Sequence, residues 1–172
     1  MSGGGASGMA HIGVIMALEE NGIPIDYITG TSAGALVGSL YAIGYTPAQI
    51  MEMASSEEYF AIANGEIDKT YTFFFKQRPQ NAGIVKFSFD KNLELNSTIP
   101  LNFTDPSLID YFMIEQFSNV SSYANYNFDS LMIPFRCVAS DIDENKEVIF
   151  KKGNLSQAVR ASMTFPFYIP PL

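Results

Sequence analysis

The chain has very little of the two residue types that most often bind metals or relay protons, with one cysteine and one histidine among 172 residues. Cys137 has no partner for an internal disulfide. One His, one Cys and scattered carboxylates also lack the spacing of a metal site. We therefore expect no metal and no other cofactor. Cys137 lies in the apolar run 133–139, which favours a buried thiol in a strand over a nucleophile.

Basic residues and long apolar runs are also scarce. The chain has 10 Lys and Arg against 18 Asp and Glu, a net charge of -8 and a pI near 4.5. This balance argues against a nucleic-acid partner, because phosphate binding needs clustered positive charge. No apolar run approaches the roughly 20 residues of a membrane span, and no signal peptide is visible. These features leave two expectations for the localisation, the cytoplasm or, in an intact precursor, export or association with a membrane. Hydrophobic residues, at 47%, are sufficient for the core of one domain or part of one.

The order of predicted elements is typical of an α/β fold, in which helices cover a sheet. Helices are expected at 9–21, 33–44, from 47 onward, at 107–118 and at 154–160, and strands at 23–29, 134–140 and 147–150. The last two strands form a hairpin around the polar turn 141–146. Thr46, Pro47 and Gln49 predict a capping box with proline at the first helical position.

Two regions give less definite patterns. In the first helix, His11, Val14, Ile15 and Leu18 are expected on one face, and Ala10, Gly13 and Ala17 on a small-residue face suited to close packing. The stretch 65–130 contains much of the aromatic content, with a strand or buried segment at 70–75 and turns at 96–106. It indicates core and loop packing or, alternatively, a surface that contacts lipid.

The segment Gly30-Thr31-Ser32-Ala33-Gly34 has the pattern G-x-S-x-G. In this motif a serine lies at a strained strand-to-helix turn that exposes its hydroxyl, and the flanking glycines avoid clashes in the tight bend. Here the motif follows a predicted strand and begins a predicted helix, whose positive dipole end favours a developing anion. The sequence therefore predicts that Ser32 is a catalytic nucleophile.

The glycines Gly3, Gly4, Gly5 and Gly8 allow two interpretations. As G-x-G-x-x-G they match a dinucleotide-binding fingerprint, but that site needs a strand directly before the first glycine, and only Met1-Ser2 stand there. Alternatively, consecutive glycines supply exposed N–H groups for an oxyanion hole close to Ser32. Parallel strands would bring both turns to one edge of the sheet. The combination favours acyl transfer over nucleotide binding.

The motifs G-G-G-x-x-G-x-x-H-I-G-V and D-Y-I-x-G-T-S-A-G-A-L together strongly resemble those of the patatin-like phospholipase family. The resemblance continues through 44–47, 135–141 and 159–166, and covers most of the chain. It implies a three-layer α/β/α sandwich and a lipid acyl hydrolase that acts on phospholipid or other acyl esters, with possible contact to a membrane surface. It also implies a Ser–Asp dyad with Ser32 as nucleophile, and an oxyanion hole formed by Gly3, Gly4 and Gly5.

The chain departs from the family pattern in three places. Many members carry Arg or Lys where this chain has Ser7. In the family a first strand precedes the glycines, and the sequence shows no such strand before Gly3. The dyad aspartate belongs to a D-G-G or D-G-A motif that follows the segment resembling 161–171, and the chain has no Asp-Gly pair. We therefore expect residues 1–172 to be a partial patatin-like domain, inactive by itself, with the dyad aspartate beyond Leu172.

Other residues are weaker candidates for the base. His11 is expected to be a packing histidine that is hydrogen-bonded near the glycine loop. Asp141 and Asp143 lie in the hairpin turn, where the resemblance implies a structural role for Asp141. An alternative function is a non-catalytic lipid-binding or assembly fragment of the same fold. The oligomeric state is open, although a sheet without its first strand exposes an edge that invites pairing.

Overall fold

The computed structural model describes residues 1–66, 105–165 and 168–172 with side chains, and the backbone of 86–89 and 95–98. The helices are α1 (Ala10–Glu20), α2 (Ala33–Ala42), α3 (Pro47–Ala54), α4 (Glu57–Asn64), α5 (Ser107–Tyr123) and α6 (Leu155–Met163). The strands are β1 (Ile28–Thr31), β2 (Lys86–Phe89), β3 (Leu95–Thr98), β4 (Phe135–Asp141) and β5 (Lys146–Phe150). The predicted segment 70–75 lies outside the described residues, as does 99–104 of the turn-rich stretch.

The main sheet has the strand order β1-β4-β5. β1 runs parallel to β4, in a register that joins Ile28 to Phe135 and Thr31 to Val138. β4 and β5 form the predicted antiparallel hairpin. Parallel neighbours need a long crossover, and more than a hundred residues, including α2 to α5, separate β1 from β4. The α/β class predicted from the sequence is confirmed.

Helices cover one face of this sheet. Along β1, Ile28 and Gly30 are buried while Thr29 and Thr31 are exposed, the alternation expected when only one face meets a core. Both α2 and α6 contact the sheet and each other. The buried face also carries Phe135 and Cys137 of β4. Within the described residues, the sandwich that the resemblance implies is therefore represented by the sheet and the helices on this face.

Met1 continues the sheet beyond β1. Its amino group donates to the carbonyl oxygen of Thr29 at 2.7 Å, and the N–H of Thr31 donates to the carbonyl oxygen of Met1 at 3.1 Å. This is the hydrogen-bond pattern of a parallel ladder centred on Gly30. The glycines that follow Met1 and the turn that follows β1 consequently lie at the same edge of the sheet, as the sequence predicts.

The predicted orientation of α1 is wrong. Its buried residues are Ile12 and Ile15, whereas Val14 is 55% exposed. The small-residue face is exposed as well, since Ala10, Gly13 and Ala17 all face solvent. The apolar residues of α1 surround most of the helix, so periodicity alone did not fix its rotation.

Several element boundaries also differ from the predictions. β1 begins at Ile28 rather than Ile23, because Pro24 has no N–H for a ladder and the chain reaches the sheet only where Ile28 donates to Pro134. β3 forms a strand in the expected turn region near Asn96. α5 extends to Tyr123 rather than Ser118. Helix α4, which the sequence reading did not predict, is marked by a cap at Ser56 and a left-handed Gly65.

The capping predictions are correct. Thr46 and Gln49 form the reciprocal capping box that begins α3, and the side chain of Asn154 accepts from the N–H of Ser156 to begin α6. In the part of the chain that the structure describes, no helix is both long enough and apolar enough to cross a membrane.

Candidate active site

Ser32 lies at the sharp turn between β1 and α2, where the motif predicts it. Its backbone has φ 53° and ψ -123°, a conformation that costs an L-residue about 1–3 kcal/mol and that recurs at functional sites. The side chain is half-buried. Because Ser32 is the residue directly before α2, its hydroxyl lies at the positive end of a ten-residue helix.

The two glycines of the motif let the strand and the helix pack closely around this turn. A β-carbon on Gly30 would lie 2.5 Å from the carbonyl oxygen of Gly34 and 2.6 Å from the Cα of Ala35. A β-carbon on Gly34 would lie 2.6 Å from the carbonyl oxygen of Ser2. All three distances are shorter than a real Cβ tolerates. Both positions therefore require glycine, because another part of the backbone passes too close for a side chain. At Gly34 the neighbouring backbone is the segment that leads into the glycine loop.

Gly3 is the loop residue that contacts Ser32. A β-carbon on Gly3 would lie 3.1 Å from the Cβ of Ser32 and 3.8 Å from its Oγ. Gly4 and Gly5 follow, and Gly5 has a left-handed φ of 55°. Within the described residues, the backbone N–H groups of these three glycines donate to no other backbone group. The predicted glycine loop and nucleophile are thus adjacent, since Gly3 lies against the side chain of Ser32.

Two side chains hold the loop in place. Ser7 donates from its hydroxyl to the carbonyl oxygen of Gly4 at 2.7 Å, which closes the turn of the loop. The Nε2 of His11 lies 2.9 Å from the carbonyl oxygen of Ser2. Since a carbonyl only accepts, this nitrogen carries the proton. His11 therefore has the expected structural role beside the loop.

Ser162 of α6 is a residue of the site that sequence reasoning missed. Its Oγ accepts the backbone N–H of Ser32 at 2.8 Å and donates to the carbonyl oxygen of Val138 at 2.6 Å. The side chain is 8% exposed. In the sequence, Ser162 lies in the segment 159–166 that resembles the family, but this resemblance does not indicate a role for its hydroxyl.

Two other candidates for catalytic chemistry, Asp141 and Cys137, have structural partners. Asp141 accepts the N–H groups of Asp143 and Glu144, at 2.9 and 3.0 Å, and so closes the β4–β5 turn. Cys137 is buried, its thiol lies 3.2 Å from the carbonyl oxygen of Ala158, and burial raises its pKa to about 12. Among the described residues, the hydroxyl of Ser32 has no hydrogen bond to a carboxylate or an imidazole.

Comparison with known proteins extends over the whole sequence. The profile of the family described as patatin-like phospholipase matches residues 1–172. The chain is 30% identical over 176 residues to patatin-like phospholipase domain-containing protein 6 of Mus musculus and of Homo sapiens, which covers 100% of the chain and 10% of each relative. It is 30% identical over 177 residues to the lysophospholipase nte1 of Emericella nidulans, covering 100% of the chain and 9% of that protein.

The chain thus spans about a tenth of the length of the curated relatives it matches. The family resemblance rests on Ser32 at the turn between β1 and α2 and on the adjacent glycine loop. The match to the family extends from the first residue to the last. The chain belongs to the patatin-like phospholipase family.

Proposed function

We propose that this chain carries the nucleophile and the oxyanion hole of a lipid acyl hydrolase, with phospholipid or lysophospholipid as the substrate class. The observation that carries the proposal is the strained Ser32, which lies against Gly3 at the start of α2. The names of the fungal relatives, lysophospholipases, support an acyl ester as substrate. In this function the surface around Ser32 meets lipid at a membrane or micelle.

The reaction proceeds in two steps. The Oγ of Ser32 attacks the ester carbonyl carbon while its proton passes to a base, and the carbonyl oxygen becomes an oxyanion. The C–O bond then breaks, and the leaving alkoxide takes the proton. This step leaves an acyl-enzyme and releases the alcohol. Water, deprotonated by the same base, then attacks the carbonyl carbon of the acyl-enzyme. The bond between this carbon and the Oγ of Ser32 breaks, which releases the fatty acid and returns the proton to Ser32.

The oxyanion is stabilised by backbone N–H groups of Gly3, Gly4 and Gly5. These donors are fixed before the substrate arrives, because Ser7 and His11 hold the loop from both sides. Donors that need no reorganisation are the most effective, and removal of one from an oxyanion hole costs about 10²–10³ in kcat. The positive end of α2 adds to the same stabilisation.

The base in this proposal is an aspartate of a D-G-G or D-G-A motif, as the family resemblance implies. The 172 residues contain no such motif, and both Asp141 and His11 have structural partners. We therefore expect the 172-residue chain to hydrolyse a short p-nitrophenyl ester barely above background. A protein that includes the motif is expected to show activity that depends on Ser32.

The test measures fatty-acid release from lysophospholipid micelles by the intact protein. Ser32→Ala is expected to reduce kcat by about 10³-fold or more. Ser39→Ala is the matched control, because Ser39 is a buried serine of α2, the helix that follows Ser32, and its hydroxyl donates to the carbonyl oxygen of Leu36 within that helix. The control is expected to retain activity. Vesicle binding without hydrolysis, unchanged by Ser32→Ala, would instead indicate the non-catalytic lipid-binding alternative.

A further inference from the structure

We infer that Ser162 is a positioning residue, whose hydroxyl is inserted between β4 and the nucleophile turn and sets the position of Ser32. The inference rests on the proposed function, since it assigns Ser162 a role in aligning the proposed nucleophile. It is carried by the pair of hydrogen bonds that join the N–H of Ser32 to Ser162 and Ser162 to Val138.

The register of the sheet shows what the hydroxyl replaces. Ile28 donates its N–H to the carbonyl oxygen of Pro134 at 3.0 Å, and the parallel pairing continues to Thr31 with Val138. Each strand of a parallel pair donates at every second residue. The series beginning with Ile28 and Pro134 therefore reaches Ser32 and Val138, four residues further along each strand. Ser32 and Val138 are thus the donor and acceptor of the next ladder bond.

That bond is not made directly, because the Oγ of Ser162 lies between the two groups and binds both. It accepts from Ser32 at 2.8 Å and donates to Val138 at 2.6 Å. Two hydrogen bonds through the Oγ of Ser162 thus replace the last direct hydrogen bond of the ladder, and Ser32 lies further from Val138 than a direct bond would place it. This extra space lets the chain leave the sheet at Ser32 and enter α2, while both backbone groups remain hydrogen-bonded away from water.

The inserted hydroxyl has two consequences for the nucleophile. The N–H of Ser32 is occupied by Ser162, so it is not a donor for the oxyanion, and that task falls to other amides. The two hydrogen bonds through Ser162 also help to hold Ser32 at its φ of 53°, a conformation that persists only when its surroundings impose it. Without the hydroxyl, either the two backbone groups lose their partner or the turn closes directly onto β4. Both changes move the Oγ of Ser32 relative to Gly3.

The experiment compares Ser162→Thr with Ser162→Val in the intact protein. The two side chains have nearly the same shape, but only threonine has the hydroxyl. We expect Ser162→Val to lower kcat roughly 10–100-fold relative to Ser162→Thr, because a displacement of about 1 Å costs on the order of 10²-fold. KM should differ by less than about threefold. Covalent labelling of Ser32 by a fluorophosphonate should slow by a similar factor, a direct readout of nucleophile alignment.

Ser156→Ala is the control, because Ser156 is a buried serine of the same helix whose hydroxyl bonds to Asn154 instead. Its labelling rate and kcat should match those of the parent. Equal kcat and equal labelling rates in the threonine and valine variants, both folded by circular dichroism, would overturn the inference. If Ser162→Val does not fold, Ser162→Ala takes its place under the same criterion. The failure of the proposed function is distinguishable, since the parent protein would then release no fatty acid, or Ser32→Ala would retain full hydrolysis.

Discussion

His11 and Ser2 are joined by a hydrogen bond from the imidazole Nε2 to the carbonyl oxygen, at 2.9 Å. The same carbonyl oxygen lies where a β-carbon on Gly34 would clash. The only histidine of the chain is therefore hydrogen-bonded to the segment that leads into the glycine loop. It supports the loop from α1 and is not directed at the serine hydroxyl.

Replacement of His11 by Gln is expected to leave ester hydrolysis by the intact protein within about tenfold of the parent. Glutamine can supply an N–H to the carbonyl oxygen of Ser2, so the loop keeps a donor. A base, in contrast, would be lost outright, and its loss typically costs about 10³-fold or more. Measured kcat/KM decides between the two, with Ser32→Ala as the reference. A His11→Gln loss as large as that of Ser32→Ala would identify His11 as the base.

Substitution of Gly3 by Ala is expected to lower kcat/KM by at least about tenfold with little change in folding stability. The new methyl group would lie 3.1 Å from the Cβ of Ser32, so the loop or the serine must shift, and either shift misaligns the oxyanion donors. The loop itself is exposed, which gives the methyl group little effect on the core.

The control for this substitution is Gly13→Ala. Gly13 lies within α1, and a β-carbon there would meet nothing within 4 Å. The change should raise the free energy of unfolding by about 0.5–1 kcal/mol, because alanine is the better helix former, and leave activity unchanged. Equal activity of the Gly3 and Gly13 variants would argue against the role of the glycine loop.

The parts of the site that follow from local chemistry were predictable from the sequence. The turn at Ser32 follows from its glycines, and the cap of α3 from Thr46 and Gln49, because each depends on residues a few positions apart. The contact between Ser32 and Ser162 joins residues 130 positions apart, and no local pattern encodes it. The rotation of α1 likewise depends on neighbours in space, so the sequence grouped the exposed Val14 with the buried Ile15.

Cys137 is expected to be unreactive towards a thiol reagent such as DTNB in the native chain at pH 8. Burial raises the pKa of the thiol to about 12, so the neutral form is favoured and the reactive thiolate falls from about a tenth of molecules, for an ordinary pKa of 9, to roughly one in 10⁴. Unfolding in urea exposes the thiol and lowers its pKa, so labelling should then be complete. Rapid labelling of the folded chain would contradict the buried position in β4.

The final prediction concerns Asp110 of α5 and Arg160 of α6, which form an ion pair with 2.6 Å between Nε and Oδ1. Arg160 is 3% exposed and also donates to Thr164 and to the carbonyl oxygen of Pro170. Removal of the carboxylate leaves a buried guanidinium without its counter-charge. Such losses cost about 3–5 kcal/mol for fully buried pairs. Because the side chain of Asp110 is 39% exposed, water compensates in part, and we expect a smaller loss of roughly 1–3 kcal/mol.

Urea unfolding of the chain, followed by circular dichroism, measures this loss. Asp110→Ala should lower the free energy of unfolding more than Asp110→Asn, because asparagine keeps an oxygen that can accept from Arg160. The matched control is Glu144→Ala, which removes the carboxylate of the ion pair with Lys146. Both side chains of that pair are more than 60% exposed, so the change should stay below about 0.5 kcal/mol. If Asp110→Ala were as mild as Glu144→Ala, the buried guanidinium would not depend on its partner, and Arg160 would join α5 to α6 by packing alone.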